Sequence, residues 1–309
     1  MTTNTPKIAR APKRNRVLTE HLQDFLTRLE ADLSLLDPKQ LRERLNILDD
    51  LDTAFGDLDS EAFKKDTNGG IHHRAKAIRT QLEAVNADLY QSIRSEMKQG
   101  AQPHALLQWI QTSASRGEKE IPAPGLAYDY RDELVSGIFQ IREPNEAHLN
   151  REPEMVFYQP TPVRHILHLM KASALSKADV FVDLGSGLGH VPLLASMLSG
   201  VQSLGIEVEA TYVASAQECA QSLHLSRVRF IHEDARAADL SSGTVFYLYS
   251  PFTGSILAEV LERLRKESTR RPIKICTLGP CTCTVAQESW LQASALPHPG
   301  QITVFQPYF

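Results

Sequence analysis

The sequence predicts an α/β fold for the second half of the chain, preceded by an all-α accessory domain. Three observations lead to this prediction. Apolar residues in the first half recur at three- and four-residue steps, as they do on one face of a helix. From about Asp179 onward, short β-rich runs alternate with helical stretches, a pattern typical of parallel strands joined by helices. Between Phe181 and Gly189, an apolar strand pattern passes through a glycine-rich turn into a helical pattern.

The bulk composition is that of an ordinary globular protein. The chain has 309 residues, enough for two modest domains, and is 42% hydrophobic and 23% charged. No apolar run reaches the roughly 18–20 residues that a membrane span needs, so no membrane partner is expected. The formal net charge of −4 argues against a molecule that binds nucleic acid over its whole surface.

The first sixteen residues differ from the rest in charge. Residues 1–16 carry no acid, and we expect them to form a basic, disordered arm. A contact arm for a polyanion is the alternative, whereas Pro6 and Pro12 disfavour the amphipathic helix of a targeting peptide. The five cations are Lys7, Arg10, Lys13, Arg14 and Arg16.

Residues 17–120 are predicted to form the helical accessory domain. An apolar stripe from Leu18 to Leu36 predicts a first helix, which Asp37-Pro38 ends because the residue before proline avoids helical geometry. Three further helices are predicted, at about Lys39–Phe55, Ile71–Lys98 and Pro103–Trp109. Residues 121–157 are interpreted as a linker and lid, with the stretch from Tyr128 to Pro144 lying across the mouth of the site.

Residues 158–309 are predicted to form the sheet domain. The expected architecture is a Rossmann-like, mainly parallel seven-stranded sheet with a terminal antiparallel hairpin. The predicted strands are Val180–Val182, Ser203–Val208, Val228–Ile231, Thr244–Tyr249, Ile273–Leu278, Ser289–Leu291 and Ile302–Gln306. The predicted helices between them are Val191–Leu198, Thr211–Leu223 and Ser255–Arg265.

The four cysteines occur late in a chain that shows no export signal. Reduced thiols and a cytoplasmic location are therefore expected. Cys276, Cys281 and Cys283 lack the spacing of a zinc site, so no metal is predicted.

The glycine-rich turn carries the strongest functional signal. Its pattern is D-x-G-x-G-x-G, whereas a dinucleotide-binding loop reads G-x-G-x-x-G. An acid two residues before the first glycine would repel a pyrophosphate but attracts the cationic amino group of a methionine moiety. The turn therefore favours S-adenosyl-L-methionine as the cofactor. The candidate cofactor-binding residues of the turn are Asp183, Gly185, Ser186, Gly187 and Gly189.

Three further candidates follow the next two strands. Glu207 ends the second strand, where a carboxylate can accept hydrogen bonds from both ribose hydroxyls. Asp234 and Ala235 follow the third strand and are candidates for contacting adenine. The alternatives are a solvated acid for Glu207 and a helix N-cap for Asp234.

The end of the fourth strand is the candidate catalytic segment. Tyr249, Ser250 and Phe252 are expected to line the place where methyl donor and acceptor meet. Together with Tyr158, the rings of Tyr249 and Phe252 are expected to form an aromatic wall near the cationic sulfur. The alternative is a simple turn after the strand, since proline, which occupies position 251, is common in turns.

The stretch from about Tyr158 to Arg265 resembles class I methyltransferases, and it is most similar to the catalytic domain of the non-SET histone lysine methyltransferases. The resemblance rests on the glycine-rich turn, on Glu207 with the residues before it, on Glu233-Asp234, and on the upstream loop from Tyr158 to Pro162. It implies that Tyr158 and Thr161 contact the cofactor. The chain departs from that family at Gln159-Pro160 and at Leu248-Tyr249, so the resemblance does not carry over histone or lysine specificity.

These observations predict a methyltransferase whose acceptor is a protein side chain or a small molecule, with nucleic acid less favoured. Asp132, Glu133 and Glu154 are candidates for a general base, and capping or surface roles are their alternatives. Two other hypotheses stay open at this point. In the first, the chain is a regulatory or scaffold protein that binds the cofactor but does not transfer its methyl group. In the second, it is an NAD-dependent dehydrogenase.

Overall fold

The computed structural model describes residues 13–56, 69–99, 104–112, 127–142, 144 and 152–308. The chain divides into two compact units between Leu89 and Tyr90. This division falls inside a long helix. Residue 120, where the sequence placed the end of the accessory domain, lies outside the described residues, and that boundary stays a prediction. None of the helices in the described ranges is long and apolar enough to cross a bilayer.

The first unit is helical. It contains α1 (Lys13–Ala31), α2 (Leu41–Phe55) and most of α3 (Gly69–Lys98), with two short 3₁₀ turns between α1 and α2. Helix α1 already begins at Lys13, within the predicted arm, and residues 1–12 lie outside the described residues. The buried core of this unit consists of Leu26, Leu35, Ile47, Leu51, Phe55, Ile71, Ala75, Ile78 and Leu82.

The first apolar stripe does not continue to Leu36 as predicted. Helix α1 ends at Ala31, and the 3₁₀ turn that follows changes the direction in which side chains point. Leu35 is therefore buried, whereas Leu33 is 75% exposed.

In the described part of the second unit, the end of α3 and three complete helices precede the sheet. The complete helices are α4 (His104–Thr112), α5 (Tyr130–Phe139) and α6 (Val163–Ala172). Helices α5 and α6 were not predicted, and the proposed linker at residues 120–125 lies outside the described residues. Arg94, in the last part of α3, donates hydrogen bonds to the carbonyl oxygens of Ile138 and Phe139 at the end of α5. These bonds explain why the end of α3 belongs to the second unit.

The predicted seven-stranded α/β sheet is confirmed. Its strands are β1 (Val180–Leu184), β2 (Gln202–Glu207), β3 (Val228–His232), β4 (Val245–Tyr249), β5 (Lys274–Leu278), β6 (Leu291–Ala293) and β7 (Thr303–Pro307). The remaining helices are α7 (His190–Ser199), α8 (Ala210–Ser222), α9 (Gly254–Ser268) and α10 (Cys281–Val285). The strand order is β3-β2-β1-β4-β5-β7-β6, in which β7 runs antiparallel to both of its neighbours. The predicted terminal hairpin is therefore confirmed as well.

In the central strands, successive side chains alternate between a face that packs in the core and a face that carries the site. Val182 and Leu184 of β1, with Phe246 and Leu248 of β4, are fully buried in one core cluster that also takes in the apolar face of α9. Since successive side chains of a strand point to opposite faces, Asp183 and Tyr247 lie on the other face. These two residues are also register partners across β1 and β4.

The strand order also fixes where a ligand can bind. From β1 the chain moves outward through β2 to β3, and it then returns to the other side of β1 to form β4. The loops that leave β1 and β4 therefore diverge, which opens a crevice at the carboxyl ends of these strands.

Candidate active site

A pocket lies in this crevice. It is lined by residues that follow β1, β2, β3 and β4, together with residues 155–161, which we call the strap. Eleven of the sequence-predicted site residues meet there, nine of them besides Ser250 and Phe252. The nine are Tyr158, Thr161, Asp183, Gly185, Ser186, Glu207, Asp234, Ala235 and Tyr249.

The glycine-rich turn brings the main chain close to the strap. Gly187 has a φ of +51°, and a Cβ atom built on it would lie 2.1 Å from the ring of Tyr158. Only glycine provides both this backbone geometry and this space. Gly189 ends the turn as the N-cap residue of α7. The turn therefore forms a smooth backbone wall directly beneath an aromatic ring of the strap.

Asp183 is a buried acid without a partner among the described residues. Burial is the main reason that its pKa lies well above the usual range, and the neighbouring Glu207 raises it further. None of the described residues donates a hydrogen bond that would offset this cost. A site built in this way gains stability from a bound cation.

Glu207 is held by the backbone around it. Its Oε2 accepts a hydrogen bond from the Gly187 N–H at 2.8 Å, and its Oε1 accepts one from the Glu209 N–H at 2.9 Å. Burial nevertheless raises the pKa of Glu207, because it outweighs the backbone hydrogen bonds that lower it. Each carboxylate oxygen keeps a second lone pair with which it can accept from a ligand hydroxyl.

Asp234 combines a turn role with an ion pair. Its Oδ1 accepts from the Arg236 N–H at 2.7 Å, and its Oδ2 accepts from the Arg236 guanidinium at 2.7 Å. The same guanidinium binds Glu152 and holds the pKa of Asp234 below its usual range. No helix begins at Asp234 among the described residues, so its side chain caps a turn and not a helix. The adenine contact of Asp234 and Ala235 stays a prediction.

The strap is fixed at both of its ends. Met155 forms an antiparallel bridge with Phe252, and the Val156 N–H donates to the carbonyl oxygen of Pro251 at 3.0 Å. At the other end, the hydroxyls of Thr161 and Tyr247 share a buried hydrogen bond of 3.1 Å. The strap therefore crosses the pocket beside the carboxyl end of β4.

In the middle of the strap, Tyr158 contacts the opposite wall. Its hydroxyl lies 3.1 Å from Nδ1 of His190, and its ring centroid lies 5.3 Å from that of Tyr212. Burial lowers the pKa of His190 to about 4, so this imidazole is neutral at pH 7. The contact that holds Tyr158 against the first turn of α7 therefore involves no charged group.

The three predicted catalytic residues have different surroundings. The hydroxyl oxygen of Tyr249 is buried and has no hydrogen-bond partner among the described residues. Burial raises the pKa of Tyr249 to about 12. Phe252 is buried and belongs both to the core cluster and to the pocket wall. Their catalytic roles stay predictions.

The hydroxyl of Ser250 is already engaged. It donates to the carbonyl oxygen of Leu278 at 3.2 Å and accepts from the Cys281 N–H at 2.9 Å. Ser250 also has a φ of +43°, which is unusual for a residue other than glycine. These contacts tie the end of β4 to the end of β5, so Ser250 positions the turn that carries Tyr249.

Two of the candidate bases act as helix caps. Asp132 accepts from the Asp129 N–H and from the Val163 N–H, and it thereby joins the starts of α5 and α6. Glu154 accepts from the Ser255 hydroxyl and the Ile256 N–H at the start of α9. The capping alternative therefore describes both acids, and Glu133 is exposed on α5.

The pocket lining includes residues that sequence reasoning missed, among them His190, Tyr212 and Tyr247. Tyr247 had a detectable signal, because strand alternation places it on the same face as Tyr249. His190 and Tyr212 had none, since the positions of their side chains depend on the strap. The predicted lid from Tyr128 to Pro144 stays a prediction, although the Tyr128 hydroxyl does bind the Pro160 carbonyl oxygen at 2.9 Å.

Metal-binding groups do not cluster in the described part of the chain. No three His, Cys, Asp or Glu side chains there are grouped in a way that would hold a metal ion. Of the late cysteines, Cys276 and Cys281 are buried and Cys283 is exposed, and all are free thiols.

Comparison with known proteins identifies the type of domain. Residues 154–247 match the family model described as histone methylation protein DOT1. This match confirms the prediction that the second half of the chain contains a methyltransferase domain. A search of curated protein sequences finds no significant match.

Several solved structures resemble the chain. An RNA methyltransferase from Salinibacter ruber in complex with S-adenosyl-L-homocysteine is 24% identical, with a TM-score of 0.38, over 48% of this chain and 92% of its own. An S-adenosylmethionine-dependent methyltransferase from Geobacter sulfurreducens in complex with the same molecule is 26% identical, with a TM-score of 0.32, over 37% of this chain and 46% of its own. Another such enzyme, from Aquifex aeolicus, is 15% identical, with a TM-score of 0.38, over 46% of this chain and 88% of its own.

Proposed function

We propose that this chain binds S-adenosyl-L-methionine and transfers its methyl group to a protein side chain or a small molecule. The buried Asp183 carries this proposal. Its carboxyl group lies at the pocket without a donor among the described residues, and the ligand we propose brings a cationic amino group.

The residues around the pocket fit this ligand. Asp183 pairs with the amino group, and Glu207 accepts hydrogen bonds from the ribose hydroxyls. The hydroxyl of Ser186 is buried and has no hydrogen-bond partner among the described residues, so a polar ligand atom would satisfy it. Asp234 and Ala235 lie where adenine is expected, and Tyr158 and Thr161 hold the ligand from the side of the strap.

When bound, the cofactor supplies a methyl group on a cationic sulfur that is already a good leaving group. The chain therefore has to position the acceptor and exclude water. The strap closes one side of the pocket, and the rings of Tyr158, Tyr249 and Phe252 provide apolar faces that favour a nearby cation.

Calorimetric titration with S-adenosyl-L-homocysteine tests the cofactor site. We expect saturable binding to the unmodified chain and about 10- to 100-fold weaker binding after Asp183→Asn or Glu207→Gln, because each change removes a charged hydrogen-bond acceptor. Glu259→Gln, on the exposed side of α9, is the matched control and should leave the affinity unchanged.

Two results would overturn this part of the proposal. One is equal affinity in all four proteins. The other is a thermal shift with NAD that S-adenosyl-L-homocysteine does not produce, which would favour a dehydrogenase.

A second measurement separates transfer from binding alone. A cofactor with a radiolabelled methyl group is incubated with the chain and a fractionated cell extract, and label is counted in the protein, nucleic-acid and small-molecule fractions. We expect label in the protein or small-molecule fraction. Binding without label in any fraction would instead support a regulatory or scaffold protein.

A further inference from the structure

Tyr249 lies at the carboxyl end of β4 with a hydroxyl group that the fold does not use. This oxygen is shielded from solvent and has no hydrogen-bond partner among the described residues, although Tyr249 lines the pocket. Its neighbour Tyr247 shows the contrast, because the Tyr247 hydroxyl is satisfied by Thr161. A buried polar group without a partner is destabilising, so an unused hydroxyl in a pocket indicates a ligand that completes it.

The surroundings of Tyr249 are uncharged. Besides burial, Tyr128 is the neighbour that perturbs its pKa, which lies near 12, so the phenol stays neutral at physiological pH. Neighbouring wall residues include Pro251 and Phe252, which offer flat apolar faces.

Each described acid that lines or borders the pocket either lies at or just after the end of a strand other than β4 or is already bound by another group. Asp183 and Glu207 lie at the ends of β1 and β2, and Glu207 is bound by backbone N–H groups. Glu233 and Asp234 follow β3, which β2 and β1 separate from β4, and Asp234 is also paired with Arg236. Asp132 and Glu154 cap helices. His190 is neutral and lies against Tyr158. In the described part of the pocket, we therefore identify no side chain placed to remove a proton from an acceptor beside Tyr249.

We propose that the acceptor is an uncharged imidazole ring, presented by a peptide or a small molecule, whose N–H donates a hydrogen bond to the hydroxyl oxygen of Tyr249. This inference rests on the proposed function and names its substrate class. A neutral imidazole carries an available lone pair on its second nitrogen near neutral pH, whereas a lysine ammonium must first lose a proton. Pro251 and Phe252 of the pocket wall offer apolar surface against which such a ring can pack.

Tyr249 would act as a positioning residue for the tautomer. By accepting the N–H of one ring nitrogen, it leaves the lone pair of the other nitrogen free to react. That nitrogen forms the new N–C bond as the C–S bond breaks, and the sulfur keeps the electron pair. The methylated ring carries the positive charge, and its N–H proton passes to water after release.

The test uses the chain loaded with S-adenosyl-L-homocysteine and measures binding of small probes by ligand-observed NMR. The probes are imidazole, n-butylamine as an analogue of the lysine side chain, and cytidine as a nucleobase source. We expect imidazole to bind, and its affinity to rise as the pH passes upward through its own pKa. n-Butylamine and cytidine should bind more weakly.

Tyr249→Phe should weaken imidazole binding about fivefold, the equivalent of one neutral hydrogen bond. The same change should raise the melting temperature of the ligand-free chain, because it removes a buried hydroxyl that lacks a partner. Tyr308→Phe, at an exposed site after β7, is the matched control and should change neither quantity.

Tighter binding of n-butylamine or cytidine than of imidazole would overturn the inference. Equal imidazole affinity in the unmodified chain and in Tyr249→Phe would do the same. The titration with S-adenosyl-L-homocysteine comes first, so its failure refutes the proposed function, and this inference falls with it. Failure of imidazole binding alone refutes only the acceptor class.

Discussion

Gly187→Ala tests the contact between the glycine-rich turn and the strap. The new Cβ atom would lie 2.1 Å from Cε2 of Tyr158, a distance that real Cβ atoms do not adopt, so the tyrosine ring must move. Moving the ring breaks its hydrogen bond with His190 and its contact with Tyr212. The substitution therefore acts on the strap as well as on the turn.

The cost in free energy of unfolding has three parts. The left-handed backbone at Gly187 costs alanine about 1 kcal/mol. Loss of the hydrogen bond between Tyr158 and His190 costs about 1 kcal/mol, and loss of the ring contact with Tyr212 costs about 1 kcal/mol. We expect a total of about 3 kcal/mol. In a domain of roughly 150–250 residues this corresponds to a fall in melting temperature of about 6–12 °C.

A double-mutant cycle with Tyr158→Ala separates these parts. In the Tyr158→Ala background, Gly187→Ala should cost only the backbone term of about 1 kcal/mol, because the ring is absent. The expected coupling between the two positions is therefore about 2 kcal/mol. Chemical denaturation of all four proteins measures it, and titration with S-adenosyl-L-homocysteine reports whether the displaced strap also weakens binding.

Additive effects would refute this reasoning. If Gly187→Ala is equally destabilising with and without the ring of Tyr158, the turn and the strap do not touch in the way described. A coupling of about 2 kcal/mol without any change in ligand affinity would support the contact but show that it has no role in binding.

Three further predictions concern the acid and the serine of the site. Asp183→Asn should stabilise the ligand-free chain by about 1–2 kcal/mol, because it removes a buried acid without a compensating donor, and it should reduce the thermal shift caused by S-adenosyl-L-homocysteine in line with the weaker binding. Above the ordinary pKa of an aspartate, the affinity for that ligand should rise with pH, because burial raises the pKa of the free Asp183 carboxyl while the bound amino group favours its ionised form. Titrations in buffers of different ionisation enthalpy should then show proton release, and a release that is unchanged in Asp183→Asn would contradict this account. Ser250→Ala should lower stability by about 1–2 kcal/mol, since it removes two buried hydrogen bonds to Leu278 and Cys281, and a change within about 0.5 kcal/mol in thermal unfolding would show that the tie is unimportant.

Some features of the site depend on long-range contacts that local patterns do not encode. The hydrogen bond between Thr161 and Tyr247 joins residues 86 positions apart, and it determines where the strap ends. The sequence favours a surface or capping role for Asp132 and Glu154 over a catalytic one, but only their partners in α6 and α9 show which helices they cap. The hydrogen bonds of the Ser250 hydroxyl to backbone groups of Leu278 and Cys281 likewise have no local signal, and the catalytic role of Ser250 stays a prediction.

The sequence by itself determined the α/β architecture, the terminal hairpin and the position of the glycine-rich turn. These follow from strand and helix periodicity and from the backbone freedom of glycine, which are properties of neighbouring residues. Only the tertiary structure decided that His190 and Tyr212 line the pocket, that the strap covers Gly187, and that the hydroxyl of Tyr249 is left without a described partner. These features depend on segments that are distant in sequence and meet only after the sheet has formed. The packing of these segments against each other then decides which side chains line the pocket and which polar groups lose their contact with water.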